Sequence, residues 1–504
     1  MGPQVVHLPD GQHITVTPVF AGLFFKSNEL STHNNAFPIG WTIVIHTEDG
    51  SEGQDGDIGK GHRPESAGKS PITGRPQIHS FTRPTLQHDS LFISSISNPS
   101  SSEFKPAASP TRQLAMMLWV TLYWYFHQPA PSTTLSTDVS KLTPKAGKPR
   151  GEWRIRVKKD GVLRGRNIMP KLERMGLIAN FNSAVGTALE DSDETWANMF
   201  VTRRMFWQIP GPRWEEPPVI PRIPNPESPW VTGHGEYPTI QPQRAIADAG
   251  DVPGAAPPRL SHERPSIPIG PFFSASHLPT YYPPAPLQYT ITNHVRHPLR
   301  PKPPRMGEVF YTRFIPSVGQ YLSFRPVPYM GPISSKSPLQ PHLLNMTDSA
   351  LLETWHSNPR VSAFWGEYAP NQLLSALQSR HSFPAIGLWD GIPFGYFELY
   401  WVKEDLLGRY AGSTVEDWDR GCHVLIGEEW ARGRVQSWLT SLVHYLFCAD
   451  YRTMSICLEP RVDNARFIQH LEYAGFTKEK EITFPHKQAW LGRFRRESWE
   501  GPAL

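Results

Sequence analysis

The chain has 504 residues, a formal net charge of +4 and 12% aromatic residues, including 17 tryptophans. This length suits two folded domains, and the aromatic content is enough for substantial apolar cores. With a net charge this small and no long basic run, nothing in the composition indicates nucleic-acid binding.

The first part of the chain alternates short apolar runs with turn residues. Residues 14–17 and 41–45 alternate in polarity and predict strands. Residues 48–83 are rich in Gly, Ser, Asp, Lys and Pro and predict a disordered insertion, and 97–110 form a second such patch. Residues 114–126 are apolar on every side and predict a buried helix. Beyond it we expect a strand at 153–157, a helix at 169–178 and a strand at 196–207.

The middle of the chain is dominated by proline. Residues 209–305 contain 24 of the 53 prolines in the protein. Proline at this density excludes long helices and central strands, because it lacks an N–H group and has a fixed φ angle. We therefore expect an irregular linker or an arm that packs on a domain surface.

From residue 308 the patterning of regular structure returns. Asp390-Gly391 is a hairpin turn signal between two apolar runs, and Gly475 is a helix C-cap signal. The predicted elements are, in order, a strand at 321–327, helices at 348–355 and 371–378, a hairpin at 385–402, a strand at 419–429, a helix at 434–448, a strand at 453–458, a helix at 464–474, and strands at 481–484 and 488–494.

His423 lies in the strand that leads into a short basic turn and then into the amphipathic helix. The turn contains Arg432, Gly433 and Arg434. A strand, a turn with glycine and a helix N-terminus together can present backbone N–H groups to a phosphate. From the residues alone, His423 is either a general base or a structural histidine at a strand edge, and the turn is either a phosphate site or a solvated basic loop.

The order of these elements resembles the GCN5-related N-acetyltransferase (GNAT) fold, as do Asn464, Leu471, Gly475 and Phe476 near the end. A narrower resemblance is to siderophore-biosynthesis acyltransferases that acylate N-hydroxylated ornithine or lysine, among them the fungal hydroxyornithine transacylases. The segments that resemble this family are 358–367, 387–401, 419–429 and 459–464, with 474–476 and 484–487.

The resemblance implies an α/β (α+β) fold with two GNAT-like domains, the C-terminal one catalytic. The expected boundaries are a non-catalytic domain at 1–208, the Pro-rich arm at 209–305 and the catalytic domain at 306–504. One departure concerns the phosphate loop, in which the general pattern Arg/Gln-x-x-Gly-x-Gly/Ala keeps only Gly433.

The function implied by the resemblance is transfer of an acetyl group from acetyl-CoA to N5-hydroxy-L-ornithine, which forms a siderophore hydroxamate. A hydroxylamine nitrogen is largely neutral near pH 7, so a single histidine suits the role of proton acceptor. We expect His423 to be that base and Asp463 to orient it. The alternative is that Asp463 caps the helix that begins at Asn464.

Further residues are candidates for the remaining parts of the site, and the alternative for each acceptor-pocket candidate is a structural role. A backbone N–H near Leu425 is expected to stabilise the oxyanion, while Arg432, Gly433, Arg434 and Asn464 are expected to hold coenzyme A. Candidates for the acceptor pocket are Trp365, Glu367, His381, Glu398 and Tyr400. The spacing of the histidines does not indicate a metal site, and we expect no metal.

Other functions stay open at this point. A larger acyl-CoA such as anhydromevalonyl-CoA, or hydroxylysine as the acceptor, would use the same chemistry, and a non-catalytic GNAT-like scaffold is a second alternative. The expected partners are small-molecule substrates, without nucleic acid or membrane, and the resemblance is consistent with a homodimer.

The expected location is the cytoplasm. Three cysteines without a CxxC pair suit a reducing compartment, and the first residues do not resemble a secretory signal. The apolar run 114–126 is too short to span a bilayer. A peroxisomal location is the alternative, although Pro502-Ala503-Leu504 lacks the basic middle residue of the usual signal.

Overall fold

A computed structural model of the protein describes residues 2–9, 11–28, 38–48, 77–97, 110–135, 137–180, 196, 199–209, 288–328, 343 and 346–504. Most of the predicted insertion at 48–83, most of the patch at 97–110 and most of the Pro-rich arm at 209–305 lie outside these residues.

The N-terminal part forms an eight-stranded sheet in which β6 and β7 are parallel and the other neighbours are antiparallel. The strand order is β1-β2-β3-β4-β6-β7-β8, with β5 paired to β4. The strands are β1 (Gln4–His7), β2 (His13–Val19), β3 (Gly22–Ser27), β4 (Gly40–Glu48), β5 (Ile78–Ser80), β6 (Asp89–Ser97), β7 (Arg154–Val157) and β8 (Phe200–Thr202).

The helices with described bounds in this part are α1 (Pro110–Phe126), α2 (Ile168–Arg174) and α3 (Arg203–Gln208). The predicted buried helix is confirmed, since every residue of α1 from Leu114 to Phe126 is buried. The strand predicted at 196–207 is wrong over most of its length. The Thr202 hydroxyl accepts a hydrogen bond from the Met205 N–H, and this N-cap starts α3 where the strand ends.

The C-terminal part forms a second eight-stranded sheet in the order β11-β12-β13-β14-β15-β16-β18-β17. Its strands are β11 (Tyr311–Ile315), β12 (Gln320–Pro326), β13 (Ser382–Trp389), β14 (Ile392–Trp401), β15 (Arg420–Ile426), β16 (Ser455–Leu458), β17 (Thr477–Thr483) and β18 (Gln488–Arg495). Its helices are α4 (Asp348–His356), α5 (Pro359–Trp365), α6 (Gln372–Gln378), α7 (Leu406–Ala411), α8 (Val435–Ala449) and α9 (Ala465–Ala474).

Helices cover both faces of this second sheet. On one face α8 buries Trp438, Leu442 and Leu446 in the main apolar core. On the other face, Leu351 and Trp355 of α4 belong to a separate apolar cluster, which also includes side chains of β13, β14 and β15. This arrangement places α4, α5 and α6 over the face that carries the candidate site.

The parallel strands β15 and β16 separate early. Their pairing is limited to Arg420 with Ile456 and Gly421 with Cys457, although β15 continues to Ile426. Beyond Gly421 the edge of β15 therefore faces an opening in the sheet. We refer to this gap between β15 and β16 as the opening.

The last residues of the predicted arm are more regular than expected. They form a hairpin of β9 (Tyr289–Thr292) and β10 (Val295–Pro298). Just after it, Arg300 donates two hydrogen bonds of 2.7 Å to the buried Glu404 carboxylate, and His297 lies 2.9 Å from the same group. These contacts dock the hairpin onto the C-terminal part.

The two parts of the molecule share one continuous apolar core. At their junction, the His444 ring on α8 lies 3.0 Å from the Trp207 carbonyl of α3. Burial, together with the nearby Arg313 guanidinium, lowers the pKa of His444 to about 3. The ring is therefore neutral, and it acts as a hydrogen-bonding group of the interior.

No helix within the described ranges has both the length and the apolarity required to cross a bilayer.

Candidate active site

His423 lies on β15 beside the opening, and its ring is held between two carboxylates. Its Nδ1 is 3.0 Å from Glu398 Oε2, and its Nε2 is 2.9 Å from Glu459 Oε1. Glu398 is the residue directly opposite His423 on the antiparallel strand β14. Glu459 immediately follows β16, the parallel neighbour. Strand pairing therefore brings the three side chains together, although Glu398 is 25 residues before His423 in the chain and Glu459 is 36 residues after it.

Two tyrosines and a lysine hold these carboxylates. The Tyr396 hydroxyl donates to Glu398 Oε1 at 2.7 Å, and the Tyr400 hydroxyl donates to Glu459 Oε2 at 2.8 Å. Lys487 Nζ donates to the Glu459 carbonyl at 2.9 Å and lies 3.5 Å from its carboxylate. Tyr396, Glu398 and Tyr400 alternate along β14 and therefore project from the same face of the sheet as one another.

A glycine on β15 allows this packing. A Cβ atom at Gly421 would lie 2.4 Å from the Tyr400 ring, closer than any real contact. Without that atom, the Tyr400 ring lies over β15 with its centroid 4.6 Å from that of His423. Gly421 is therefore required by the close approach of Tyr400.

The protonation of this group follows from its charges. Burial disfavours a charged imidazole, but the carboxylates of Glu459 and Glu398 outweigh that effect and raise the pKa of His423 well above its usual value near 6.5. Burial likewise acts to raise the pKa of Glu459, yet the positive charges of His423 and Lys487 lower it to about 2. At neutral pH the resting group is an imidazolium between two carboxylates. The role of His423 as the general base stays a prediction, and it requires the neutral form of the ring.

Helix α5 fixes the far end of β15. Its N-cap is Asn358, whose side chain accepts the Arg360 N–H at 3.0 Å. The Arg360 guanidinium donates to the carbonyls of Ile426 and Gly427, at 3.0 and 2.8 Å. At the other end of α5, the Trp365 indole donates to the Val424 carbonyl at 3.2 Å. The residues 358–367 thus brace the strand that carries His423.

The backbone N–H groups near Leu425 point in two directions. Hydrogen bonds from Val402 to Asp419 and from Gly427 to Phe394, both 3.0 Å, lie in the same register as the β14–β15 ladder. Odd-numbered residues of β15 therefore bond to β14, and even-numbered residues direct their N–H groups towards the opening. The N–H of Leu425 itself therefore faces β14. The N–H groups of Val424 and Ile426 face the opening.

Asp463 does not contact His423, so the prediction that it orients the histidine is wrong. Both oxygens of its carboxylate bind Arg461, at 2.6 and 2.8 Å, and its side chain is 60% exposed. The alternative that Asp463 caps the last helix is also wrong, since the Asn464 side chain caps α9. Glu459 takes the place expected for Asp463. The sequence carried a signal for it, because Glu459 directly follows the predicted strand at 453–458.

Comparison with known proteins gives a matching domain model and a relative that matches nearly the whole chain. Residues 345–484 match the model of an acetyltransferase (GNAT) domain. The N5-hydroxyornithine acetylase sidL of Beauveria bassiana is 52% identical over 532 residues, which cover 97% of this chain and 100% of that protein. The chain belongs to the GNAT acyltransferase family. The family predicted from the sequence is thereby confirmed, and with it the α/β fold class.

Other relatives match a smaller share of the chain. The hydroxyornithine transacylase SID3 of Ajellomyces capsulatus is 33% identical over 44% of this chain and 50% of its own length. The N(6)-hydroxylysine O-acetyltransferase of Escherichia coli is 39% identical over 40% of this chain and 60% of its own length. The chain is an acyl-CoA-dependent N-acyltransferase, and acyl-CoA is its cosubstrate, as predicted.

The basic turn of this GNAT acyltransferase is a 3-10 turn, Glu429–Arg434, that runs into α8. The first turn of α8 has no side-chain cap, and Gly433 is exposed, so backbone N–H groups there are available to an anion. Arg434 is less available than expected. Its guanidinium donates to Gln320 Oε1 at 2.5 Å and lies over the Trp389 ring. The assignment of Arg432, Gly433 and Arg434 to the coenzyme stays a prediction.

Three of the five acceptor-pocket candidates lie at His423, and two do not. Glu398 and Tyr400 are described above, and the Trp365 ring is 6.4 Å from that of His423. His381 instead contacts Asp405 at 3.1 Å, and Glu367 is exposed beyond the end of α5. Across the described ranges, no cluster of three or more His, Cys, Asp or Glu side chains could hold a metal ion.

Proposed function

We propose that this protein acetylates the N5 nitrogen of N5-hydroxy-L-ornithine with acetyl-CoA, which gives the hydroxamate of a siderophore. The observation that carries the proposal is the Glu398–His423–Glu459 group beside the opening. It occurs in a chain that is 52% identical, over nearly its whole length, to an N5-hydroxyornithine acetylase.

The weak basicity of the nucleophile explains why the Glu398–His423–Glu459 group is enough for the proton transfers of this reaction. The hydroxylamine nitrogen is weakly basic, so its lone pair is free near neutral pH. It attacks the thioester carbonyl carbon, and the carbon–sulfur bond breaks as the new carbon–nitrogen bond forms. The nitrogen loses one proton, and the departing sulfur gains one. The active site must therefore move a proton from nitrogen to sulfur.

Glu398 and His423 divide that transfer between them. The side chain of Glu398 is 20% exposed, compared with 4% for Glu459, so Glu398 is the carboxylate that an acceptor in the opening can reach. When Glu398 accepts the proton from nitrogen, it loses its negative charge and releases the Nδ1–H of the His423 imidazolium, which donates its proton to the thiolate. The proton on Glu398 then returns to the His423 ring. Glu459, held by Tyr400 and Lys487, stays ionised and keeps the ring in place.

Attack on the thioester places a negative charge on its carbonyl oxygen, and hydrogen-bond donors near His423 are needed to stabilise that charge. The N–H groups of Val424 and Ile426 are directed into the opening, next to His423. Their direction is set by the β14–β15 ladder, so they need no rearrangement when the charge develops. We assign the oxyanion site to this edge of β15.

Acetyl is the proposed acyl group, and anhydromevalonyl is the competing one. The cis-anhydromevalonyl coenzyme A transacylase SIDF of Beauveria bassiana is 35% identical over 43% of this chain. The acetylase of the same species is more similar and matches the full length. The relation to an Escherichia coli hydroxylysine enzyme keeps hydroxylysine as the alternative acceptor.

The test is a thiol-release assay with purified full-length protein. Acetyl-CoA and anhydromevalonyl-CoA are each combined with N5-hydroxyornithine, ornithine or N6-hydroxylysine, and the products are identified by mass spectrometry. We expect the highest kcat/KM with acetyl-CoA and N5-hydroxyornithine, and almost none with ornithine. Faster turnover of another acyl donor or acceptor would replace the proposed substrate, and no turnover of any pair would favour the scaffold alternative.

The cytoplasmic location, the homodimer and the domain boundaries at 208 and 305 stay predictions. Size-exclusion chromatography with light scattering would test the homodimer directly.

A further inference from the structure

Arg461 and Asp463 form an ion pair at the outer end of the candidate site. The Arg461 Nε and Nη2 atoms lie 2.6 and 2.8 Å from the two Asp463 oxygens. The Arg461 side chain is 37% exposed and that of Asp463 is 60% exposed. An exposed pair of this kind adds little to stability, because water screens both charges. Its placement beside the opening therefore suggests another role.

The position of Arg461 relative to His423 follows from the chain. Arg461 bridges to Ala489 in the same register that pairs β16 with β18, so the chain continues as a strand from Glu459 to Arg461. Glu459, which contacts His423, is two residues before Arg461, and the two side chains therefore project to the same side. Arg461 Nη1 donates to the Ala363 carbonyl at 3.1 Å, and the guanidinium lies 4.5 Å from the Phe364 ring centre. Trp365, the next residue, faces His423. The Arg461–Asp463 ion pair therefore lies next to the Glu398–His423–Glu459 group, on the side towards solvent.

An α-amino acid acceptor requires both a cation and an anion from the protein. Two other cations close to His423 are committed to the fold. Arg360 binds two carbonyls at the end of β15, and Lys487 binds Glu459. Arg461 is the cation at the rim, and its partner Asp463 offers a carboxylate beside it. A guanidinium and a carboxylate side by side match the two charges of a zwitterion.

We propose that Arg461 binds the α-carboxylate and Asp463 binds the α-ammonium of the amino acid acceptor. Four bonds separate the reacting nitrogen of N5-hydroxyornithine from its α-carbon. With that nitrogen at Glu398 and His423, the acceptor extends past Trp365 and brings its zwitterionic end to the rim. The inference rests on the proposed function and adds a determinant of substrate choice. The enzyme would select an amino acid over a hydroxylated diamine.

Two truncated acceptors separate recognition from general damage. N-hydroxy-1,4-diaminobutane is N5-hydroxyornithine without its carboxylate, and 5-(hydroxyamino)pentanoic acid is the same molecule without its α-ammonium. Wild-type protein, Arg461→Gln and Asp463→Asn are assayed with all three acceptors and acetyl-CoA. The exposed Arg466→Gln on α9 serves as a control for the loss of one positive charge.

A crossed pattern is expected. Arg461→Gln lowers kcat/KM for N5-hydroxyornithine about 10- to 100-fold, mainly through KM, and changes the value for the diamine less than about twofold. Asp463→Asn lowers kcat/KM for N5-hydroxyornithine similarly and leaves 5-(hydroxyamino)pentanoic acid nearly unchanged. The KM for acetyl-CoA stays the same in both variants, and Arg466→Gln behaves like wild type.

Other results would overturn the inference. Equal losses on all three acceptors would make the pair a structural link between α5 and the segment after β16. Unchanged kcat/KM with N5-hydroxyornithine would show that the acceptor is bound elsewhere. If the wild-type protein fails to turn over N5-hydroxyornithine at all, the proposed function fails and this inference falls with it.

Discussion

The two sheets of this protein have corresponding strand orders, but only one contains an opening that carries catalytic groups. In the N-terminal sheet β6 and β7 are parallel and paired only at Ser90 with Arg156 and at Leu91 with Val157. This is the arrangement of β15 and β16, which also pair at two positions. The difference between the sheets therefore lies in what occupies the gap, since the strands that flank it are paired in the same way.

In the N-terminal sheet the gap is filled by the chain itself. A 3-10 turn, Gly161–Arg164, follows β7 and buries Leu163 completely. Gly161 has a φ of +55°, and a Cβ atom there would lie 2.2 Å from the Ile93 carbonyl oxygen. Ile93 is two residues after Leu91, the last paired residue of β6, as His423 is two residues after Gly421 on β15. Ile43 is opposite Ile93 on β4, as Glu398 is opposite His423 on β14. Both isoleucines are fully buried.

The cover of the sheet differs as well. Strands β2 and β3 are joined by a turn at Phe20 and Ala21, whereas α4, α5 and α6 lie between β12 and β13. The N-terminal sheet therefore lacks the helices that brace β15 and support Trp365. The same framework becomes a reactive site only when the gap is left open, charged groups flank it and helices cover it.

The largest expected effect is on His423. Replacement His423→Asn removes the group that donates a proton to sulfur, and kcat should fall about 10²- to 10⁴-fold. The matched change in the other sheet, Ile93→Val, should leave kcat unchanged and lower the free energy of unfolding by about 0.5–1.5 kcal/mol. Steady-state kinetics and urea denaturation measure the two effects. Near wild-type kcat in His423→Asn would remove the proposed acid–base role.

A second comparison uses pH to separate charge from packing. Because the pKa of Glu459 is lowered to about 2, its ionised form stabilises the fold above the unfolded value near 4.5, and this contribution is lost as the pH falls towards 2. The raised pKa of His423 contributes stability below the unfolded value near 6.5, and that contribution is lost as the pH rises through the folded value.

The variant Glu459→Gln tests both of these pH dependences of stability. Its free energy of unfolding should be below that of wild type from pH 4.5 to 6.5, and the difference should shrink as the pH approaches 2. The pKa of His423, followed by NMR, should fall towards 6.5 in this variant. A His423 pKa that does not change would contradict the electrostatic account.

Two glycines offer a direct contrast between stability and activity. Gly161→Ala forces a side chain against backbone at positive φ, so the free energy of unfolding should fall by about 1–3 kcal/mol, without a change in the KM for acetyl-CoA. Gly421→Ala instead meets the Tyr400 ring and should lower kcat through displacement of Glu459 and His423. Thermal melts measure the stability of both variants, and steady-state kinetics measure their kcat and KM. A loss of kcat in Gly161→Ala would show that the gap in the first sheet affects the second.

The smallest expected effect concerns the brace on β15. Trp365→Phe keeps most of the apolar contact but loses the hydrogen bond to the Val424 carbonyl, which should lower kcat about three- to tenfold. Trp499→Phe is a suitable control, since this buried tryptophan has no hydrogen-bond partner for its indole N–H within the described residues. Equal rates for both variants would assign the brace to Arg360 alone.

Local features of the sequence were enough for much of this fold. The Asp390-Gly391 turn has positive φ at both residues, as its composition predicts, and the strand of His423 was correctly placed. The sequence alone does not place residues whose role depends on distant pairing. Whether Glu459 or Asp463 reaches His423, and whether Val424 or Leu425 faces the opening, depends on register between strands far apart in the chain. The β9–β10 hairpin was missed because its anchor, Glu404, is more than a hundred residues away.

The edge of β15 that borders the opening has an uneven supply of hydrogen-bonding groups. The carbonyls of Val424 and Ile426 are taken by Trp365 and Arg360, whereas their N–H groups point into the gap. An exposed strand edge normally invites another β-strand, which needs donors and acceptors in alternation. This edge can satisfy only acceptors, so it resists pairing with a polypeptide and still receives a ligand rich in carbonyl groups. Protection against aggregation and selection of an acyl carrier thus depend on the same two side chains.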